Sequence, residues 1–209
     1  SMNTKVVLSM TVTLLVGGTL LLKFTDDVTW LGAFFQSTSA RTAGFSTYAL
    51  GTFSTAGLFV LIMLMFIGAS PGSTGGGIKT TTAFALFRSL LAFATNREPT
   101  AFRRTIHRES IHKAFTVTTL AVVVVCVMTF SISVIEPQLS FMEVMFEVVS
   151  GFATVGLSTG ITPGLSDASK LLLCMTMFIG RLGPLTMVSI WIYKPASTLS
   201  YTEERLTIG

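Results

Sequence analysis

The chain has 209 residues and a formal net charge of +4; 50% of its residues are hydrophobic, 11% are charged, and the mean hydropathy is +0.72. Soluble domains carry about 25% charged residues, so the composition excludes an ordinary soluble domain. It predicts an all-α membrane protein that uses most of its length for helices.

The first half of the chain predicts a membrane helix, a short helix, an extended stretch and an interrupted hydrophobic segment. The predicted helices lie at residues 4–23, 28–39, 52–67 and 78–94. The second of these is too short to cross a hydrocarbon core of ~30 Å. Asp27 is its expected N-cap, since aspartate accepts a hydrogen bond from the free N–H groups of a first helical turn.

The second half of the chain repeats this order. The predicted helices lie at residues 111–135, 141–151 and 168–193. Glu136-Pro137 stops the first of them. Ser140 and Glu143 form a capping-box pattern that opens the short second helix. Ser166 or Asp167 is expected to cap the last helix. The second half thus has the same order of long helix, short helix, extended stretch and second helix as the first.

A six-residue run occurs twice, at an offset of 112 residues, as Thr42-Ala43-Gly44-Phe45-Ser46-Thr47 and Thr154-Val155-Gly156-Leu157-Ser158-Thr159. The same offset relates Met65-Phe66-Ile67-Gly68 to Met177-Phe178-Ile179-Gly180. A constant offset indicates two copies of one structural unit. Membrane helix, short helix, extended stretch and second helix is the layout of an ion pore. The alternative is a pair of re-entrant loops that only pack.

The repeated run has the properties of a potassium filter. Irregular backbone at membrane depth is tolerated where it lines a cavity, and backbone carbonyls can replace the hydration shell of K⁺. The central glycine permits unusual φ values, and the C-terminal end of the short helix favours a cation. The candidate filter residues, through their carbonyls, are Thr42, Ala43, Gly44, Phe45, Ser46, Thr154, Val155, Gly156, Leu157 and Ser158.

A glycine-rich segment interrupts the hydrophobic segment of the first half. It comprises Ser70, Pro71, Gly72, Ser73, Thr74, Gly75, Gly76 and Gly77. Proline and clustered glycines cannot continue a regular helix, so we expect a loop within the membrane, with a kinked, close-packed helix as the alternative. A Walker phosphate loop does not fit, because Ile78 separates the last glycine from Lys79.

Charges are distributed unevenly between the two sides of the predicted helices. The basic residues of the central connection are Arg88, Arg97, Arg103, Arg104, Arg108 and Lys113. They place residues 97–113 in the cytoplasm by the positive-inside rule and suit lipid headgroups better than nucleic acid. The acidic residues of the opposite side are Asp26, Asp27, Glu136, Glu143, Glu147 and Asp167. They predict an outer mouth that concentrates cations, unless they are merely solvated loop charges.

Catalytic groups are too few for an enzyme. The two histidines, His107 and His112, lie in or beside the basic connection, away from the serines of the repeated runs. Cysteine and histidine show no metal-ligand spacing. Arg181 is the one unusual charge, since an arginine in a hydrophobic run must face water or a partner. The sequence therefore predicts a non-enzyme.

These motifs resemble the Trk/Ktr/HKT superfamily of potassium transporters over essentially the whole chain. Members have four such units around one pore, each with a single filter glycine, and this chain resembles the third and fourth units. The resemblance implies a potassium-channel-like fold with two helix–pore helix–filter–helix repeats. The implied pore units are residues 1–95 and 111–193. Residues 96–110 would form the cytoplasmic connection between them, and residues 194–209 a cytoplasmic tail.

The resemblance also implies a gate. Residues 70–77 would form an intramembrane loop below the filter that obstructs the pore and moves during gating. Arg181 would contact carbonyls of residues 72–77 and add a positive barrier to cations. An arginine that pairs structurally with another helix is the alternative. Lys79 is the weaker candidate for this role, because it can snorkel toward the cytoplasmic side.

The implied activity is uptake of K⁺ down its electrochemical gradient across the bacterial plasma membrane. The implied assembly is a homodimer of full-length subunits with a cytosolic ring of nucleotide-binding regulatory subunits (KtrA type). That ring would bind ATP or ADP and dock at residues 97–113 and the tail. The sequence shows no cofactor or nucleotide site, and no sodium site for the sodium dependence common in the family.

Two units supply only two filter stretches, whereas a four-sided pore needs four. The N-terminal half of the same transporter or a second copy of this chain would supply the others. The alternative function is a non-conducting scaffold half that binds partner subunits and conducts only when it is complemented.

Overall fold

The computed structural model describes residues 2–102 and 104–183, which are mostly helical. The helices of this part are α1 (Met2–Thr25), α2 (Trp30–Ser39), α3 (Thr55–Phe66), α4 (Thr80–Ala94), α5 (Arg108–Ile135), α6 (Phe141–Phe152) and α7 (Asp167–Leu182). Strands β1 (Thr100–Ala101) and β2 (Arg104–Thr105) pair antiparallel between α4 and α5. The predicted tail lies outside the described residues.

Helices α1 and α5 are long and apolar enough to cross a membrane, whereas α3 and α4 are shorter apolar helices. Large apolar side chains of both long helices are exposed, among them Leu8 and Val12 of α1 and Val123 and Phe130 of α5. Exposed apolar surface of this extent is typical of contact with lipid or with another membrane helix. The described helices therefore have the character of a membrane protein.

Helix α6 is the most enclosed element of the described chain. Its side chains Phe146 and Phe152 are fully buried, because α3, α5 and α7 all pack against it. Helix α2 packs mainly against α1, and Leu31 and Phe34 on its other face are exposed. The helices of the first half pack against those of the second where α3 meets α6 and where α4 meets α5.

The N-caps show where short polar side chains begin the helices. Ser140 and Glu143 form the predicted capping box of α6, and Ser166 caps α7. The prediction of Asp27 as the cap of α2 is wrong. Thr29 takes that place, since its Oγ1 accepts from the N–H of Gly32 at 3.1 Å.

The last described helix, α7, ends at Leu182. Of the helix predicted over residues 168–193, the described part ends at Leu182, where Gly183 closes α7 with φ +86°. Glycine adopts this left-handed conformation readily, and residue 184 is a proline, which disfavours helical backbone in the residue before it. Residues 184–193 lie outside the described part of the chain.

In each half, an acidic side chain accepts a hydrogen bond from the backbone N–H of a helix N-cap residue, at the start of α3 or α7. The backbone N–H of Ser54, the N-cap of α3, donates to Asp26 at 2.7 Å, and that of Ser166 donates to Glu136 at 2.8 Å. Glu136 also accepts from Ser169 Oγ at 2.9 Å and Gln138 Nε2 at 2.8 Å. These hydrogen bonds connect the C-terminal end of α1 to the N-terminus of α3, and the C-terminal end of α5 to the N-terminus of α7.

We expect Glu136 to make the protein sensitive to acid. Hydrogen bonds from Ser166, Ser169 and Gln138 lower the pKa of its carboxyl from 4.5 to about 2. A lowered folded-state pKa means that this stabilisation is complete above pH 4.5 and is lost as the pH falls toward 2. Thermal unfolding of the purified protein in detergent across this range should show the loss, and Glu136→Gln should flatten it. An equally steep acid dependence in the variant would contradict this role.

Candidate filter and glycine-rich loop

The two repeated runs share an unusual backbone. Thr42 and Gly44 have φ values of +75° and +78°, and Thr154 and Gly156 have φ values of +55° and +92°. Positive φ is expected for glycine but uncommon for threonine, whose β-branched side chain makes it costly. Both runs follow the C-terminal end of a short helix, α2 or α6. They are therefore irregular stretches of matching conformation.

The two stretches lie side by side. A Cβ atom placed on Gly44 would overlap with the carbonyl oxygen of Val155. A Cβ atom on Gly156, by contrast, would find no heavy atom within 4 Å. Glycine is thus required at position 44 by close approach as well as by φ, whereas position 156 faces open space.

A serine on each short helix binds the stretch that follows it. Ser39 Oγ donates to the carbonyl oxygen of Phe45, and Ser150 Oγ donates to that of Leu157 at 2.5 Å. These hydrogen bonds direct the two carbonyls toward the short helices. One lone pair of each of these carbonyl oxygens is therefore occupied, and the binding of an ion by Phe45 and Leu157 stays a prediction.

The glycine-rich loop lies against the beginning of both stretches. The N–H of Gly76 donates to Thr154 Oγ1 at 2.7 Å, and a Cβ atom on Gly75 would be 3.0 Å from Thr42 Cγ2. At the loop's ends, an isolated parallel bridge pairs Ile67 with Ile78. The predicted interruption of the helix is thus a closed loop, not a kinked helix.

Two cationic side chains bind the loop through its carbonyl oxygens. Lys79 Nζ donates to the carbonyl oxygen of Gly75 at 2.5 Å and to that of Ser73 at 3.2 Å. It thus contacts the loop, and its snorkelling toward the cytoplasmic side stays a prediction. Arg181 Nη1, in the last turn of α7, donates to Thr74 at 2.5 Å. The contact of Arg181 with the loop agrees with the sequence prediction, and its role as a barrier stays a prediction.

Two of the acidic residues assigned to an outer mouth are buried hydrogen-bond acceptors. Glu136 and Glu147 have relative exposures of 5% and 7%, respectively. The alternative that the acidic residues are merely solvated loop charges is therefore wrong for these two, since each is buried among hydrogen-bond donors. The acidic outer mouth stays a prediction. For Glu147 the sequence holds a signal, because the spacing of Gln36 and Ser39 is repeated at Glu147 and Ser150 with an offset of 111.

A cavity of about 900 Å³ runs along the second stretch. Its lining includes Thr154, Gly156, Ser158, Glu147 and Arg181. The open space beside Gly156 belongs to this cavity. The second stretch, Glu147 and Arg181 thus line the same cavity.

The chain belongs to the TrkH family of cation transport proteins, whose family model matches residues 3–198. This membership confirms the resemblance that the repeated runs indicate. It also confirms that the chain is a transporter component rather than an enzyme, and it places the chain among membrane proteins.

Particular relatives narrow the similarity. Ktr system potassium uptake protein B of Vibrio alginolyticus is 36% identical over 220 residues, which cover 99% of this chain and 48% of that protein. Ktr system potassium uptake protein D of Bacillus subtilis is 40% identical over 185 residues, which cover 88% of this chain and 41% of that protein. The chain thus spans about half the length of these relatives or less.

A solved structure has the same fold. The potassium transporter TrkH from Vibrio parahaemolyticus superposes with a TM-score of 0.72 over 91% of this chain and 44% of that chain, at 20% sequence identity. At this identity the similarity concerns the fold alone.

Proposed function

We propose that this chain supplies two filter-bearing units of a potassium-uptake pore. K⁺ would pass beside residues 42–46 and 154–158 and exchange its hydration shell for backbone carbonyls. The observation that carries the proposal is the close approach of Gly44 to the Val155 carbonyl. It brings two irregular stretches of matching φ together at the C-terminal ends of two short helices. Carbonyls of Phe45 and Leu157 would hold the stretches in place rather than lead in binding the ion.

The two units would be structural repeats, at residues 1–95 and 111–193, with α2 and α6 as their pore helices. Matching contacts support this. Ser39 and Ser150 donate to carbonyls at equivalent places in the two stretches. Asp26 and Glu136 both accept from the backbone N–H of a helix N-cap residue. The stretches match at an offset of 112 but the short helices at 111. One additional residue therefore separates helix from stretch in the second unit.

The glycine-rich loop would be the gate. Its position against Thr42 and Thr154 supports a role at the inner end of the filter. Lys79 and Arg181 would hold it closed through their bonds to its carbonyls. Opening would then require these bonds to break and the loop to leave the space below the stretches.

Further units are needed to complete the pore. Phe45, in the first stretch, is 71% exposed, whereas the equivalent Leu157 is 3% exposed. The first stretch therefore lacks the cover that the second has, which supports a neighbour from the N-terminal half of the transporter or a second copy. A homodimer of complete subunits would carry a nucleotide-binding regulatory ring on the cytoplasmic basic segment, residues 97–113.

The proposed function is tested by K⁺ uptake in a bacterium that lacks its own potassium-uptake systems. We expect rescue of growth at low K⁺ when this chain is expressed with an N-terminal half of a related transporter. Rescue by the chain alone would mean that two copies complete the pore. Membrane expression without rescue in either arm would contradict the pore and favour the non-conducting scaffold.

A further inference from the structure

Glu147 is a buried carboxylate on α6 that accepts hydrogen bonds from four groups. Its Oε1 accepts from Ser158 Oγ at 2.7 Å, from the N–H of Thr159 at 2.8 Å and from Thr159 Oγ1 at 3.0 Å. Its Oε2 accepts from Thr162 Oγ1 at 2.9 Å. Every one of these groups is a donor, which suits an ionised carboxylate, an acceptor at both oxygens.

The donors lie at one end of the second stretch. Ser158 is its last candidate filter residue, Thr159 follows directly, and Thr162 begins the turn that leads to α7. Glu147 belongs to the most enclosed helix of the described chain, so its carboxylate is a rigid anchor. Because it binds both the side chain and the backbone of this end, it constrains the direction of the neighbouring carbonyls.

The first stretch lacks an equivalent anchor. The amide of Gln36 on α2 donates a single hydrogen bond to Ser46 Oγ, at 2.5 Å, and Ser46 Oγ then donates to the carbonyl of Tyr48 at 2.6 Å. The polarity is reversed, since Ser46 receives a hydrogen bond where Ser158 donates one. The two stretches are thus held by different chemistry despite their similar sequences.

We propose that Glu147 is a positioning residue for ion selectivity, which acts by accepting the hydrogen bonds that orient residues 158–159. The inference rests on the proposed function of the second stretch. Glu147 would influence selectivity because its hydrogen bonds orient residues 158–159, not because its carboxylate attracts the passing ion. Glutamine retains an acceptor oxygen in the same place and can donate to Thr162 Oγ1. Alanine removes the acceptor of all four groups and leaves only the contact between Ser158 Oγ and Thr162 Oγ1, at 3.2 Å.

The test compares Glu147→Ala with Glu147→Gln in the complete transporter, at matched membrane expression. The readout is the ratio of K⁺ to Na⁺ uptake together with the half-saturating K⁺ concentration. Losing several hydrogen bonds to a charged group should lower the ratio about tenfold in Glu147→Ala, whereas Glu147→Gln should retain it. Glu143→Gln, at a half-buried position on the same helix, controls for loss of a negative charge, since glutamine can still accept from the N–H of Ser140.

A ratio unchanged in Glu147→Ala would overturn the proposal, and so would an equal loss in both variants, which would assign the effect to charge. If Glu147→Ala does not reach the membrane, Ser158→Ala removes one donor and leaves the backbone intact. Because the glutamine oxygen still accepts from Ser158 Oγ, Ser158→Ala should lower the ratio to the same extent in the wild type and in Glu147→Gln. A loss in the wild type alone would contradict the proposal. Absence of K⁺ uptake by the unmodified transporter would instead refute the proposed function itself.

Discussion

Replacing Gly44 with serine is expected to lower the ratio of K⁺ to Na⁺ uptake about tenfold. A residue with a side chain in the left-handed region costs ~1–2 kcal/mol, and ~1.4 kcal/mol corresponds to a factor of ten. The serine Cβ would also overlap with the Val155 carbonyl, so the two stretches must separate. Competition between K⁺ and Na⁺ in flux assays measures the change.

Two other glycines separate the causes of this effect. Gly156→Ser brings the same backbone strain at φ +92° but no overlap, so we expect a smaller loss of selectivity. Gly160→Ser strains a position outside the stretches, at φ +100° and with open space around it, and should leave the ratio unchanged. Ion ratios that stay the same in Gly44→Ser would count against the assignment of residues 42–46 to the filter.

The second large effect is expected from the cations that bind the glycine-rich loop. Arg181→Ala removes the hydrogen bond to the Thr74 carbonyl. Bonds of charged donors contribute ~1.5–3 kcal/mol, and since Arg181 is exposed we expect the low end, or about a tenfold rise in uptake without the regulatory partner. Lys79→Ala should raise it further, because Lys79 binds two other carbonyls of the loop.

The matched control for this prediction is Lys170→Ala, at the opposite end of α7. Removing that cation should leave basal uptake as it is, which separates contact with the loop from a general change in charge. Arg181→Ala, Lys79→Ala and a variant with a shortened loop should all take up K⁺ faster than the wild type when the regulatory partner is absent. If uptake by all three still depended on that partner as fully as in the wild type, residues 70–77 would not be the gate.

Sequence patterns located most of the helices because the physics of those elements is local. The predicted membrane helix at residues 4–23 is Met2–Thr25, and the short helix at residues 141–151 is Phe141–Phe152. A long apolar run defines the first, and the capping box of Ser140 defines the second. Helix α5 begins at Arg108, earlier than the predicted residue 111, because its first turn is polar and carries no hydrophobic signal.

Features that depend on tertiary contacts could not be predicted in the same way. The glycines at 44 and 156 were expected to adopt unusual φ, but Thr42 and Thr154 adopt positive φ as well. Glu147 looks like a surface charge in the sequence, and its four donors become visible only when α6 meets the end of the second stretch. Lys79 similarly turns to carbonyls of a loop whose path no local pattern defines.

The central claim is that residues 42–46 and 154–158 line the path of K⁺. Anomalous scattering from crystals of the complete transporter grown with Rb⁺ in place of K⁺ tests it most directly. The account predicts a Rb⁺ peak flanked by backbone carbonyl oxygens of both stretches, between Gly44 and Gly156. Rb⁺ peaks confined to other parts of the protein, with both stretches well ordered, would contradict it.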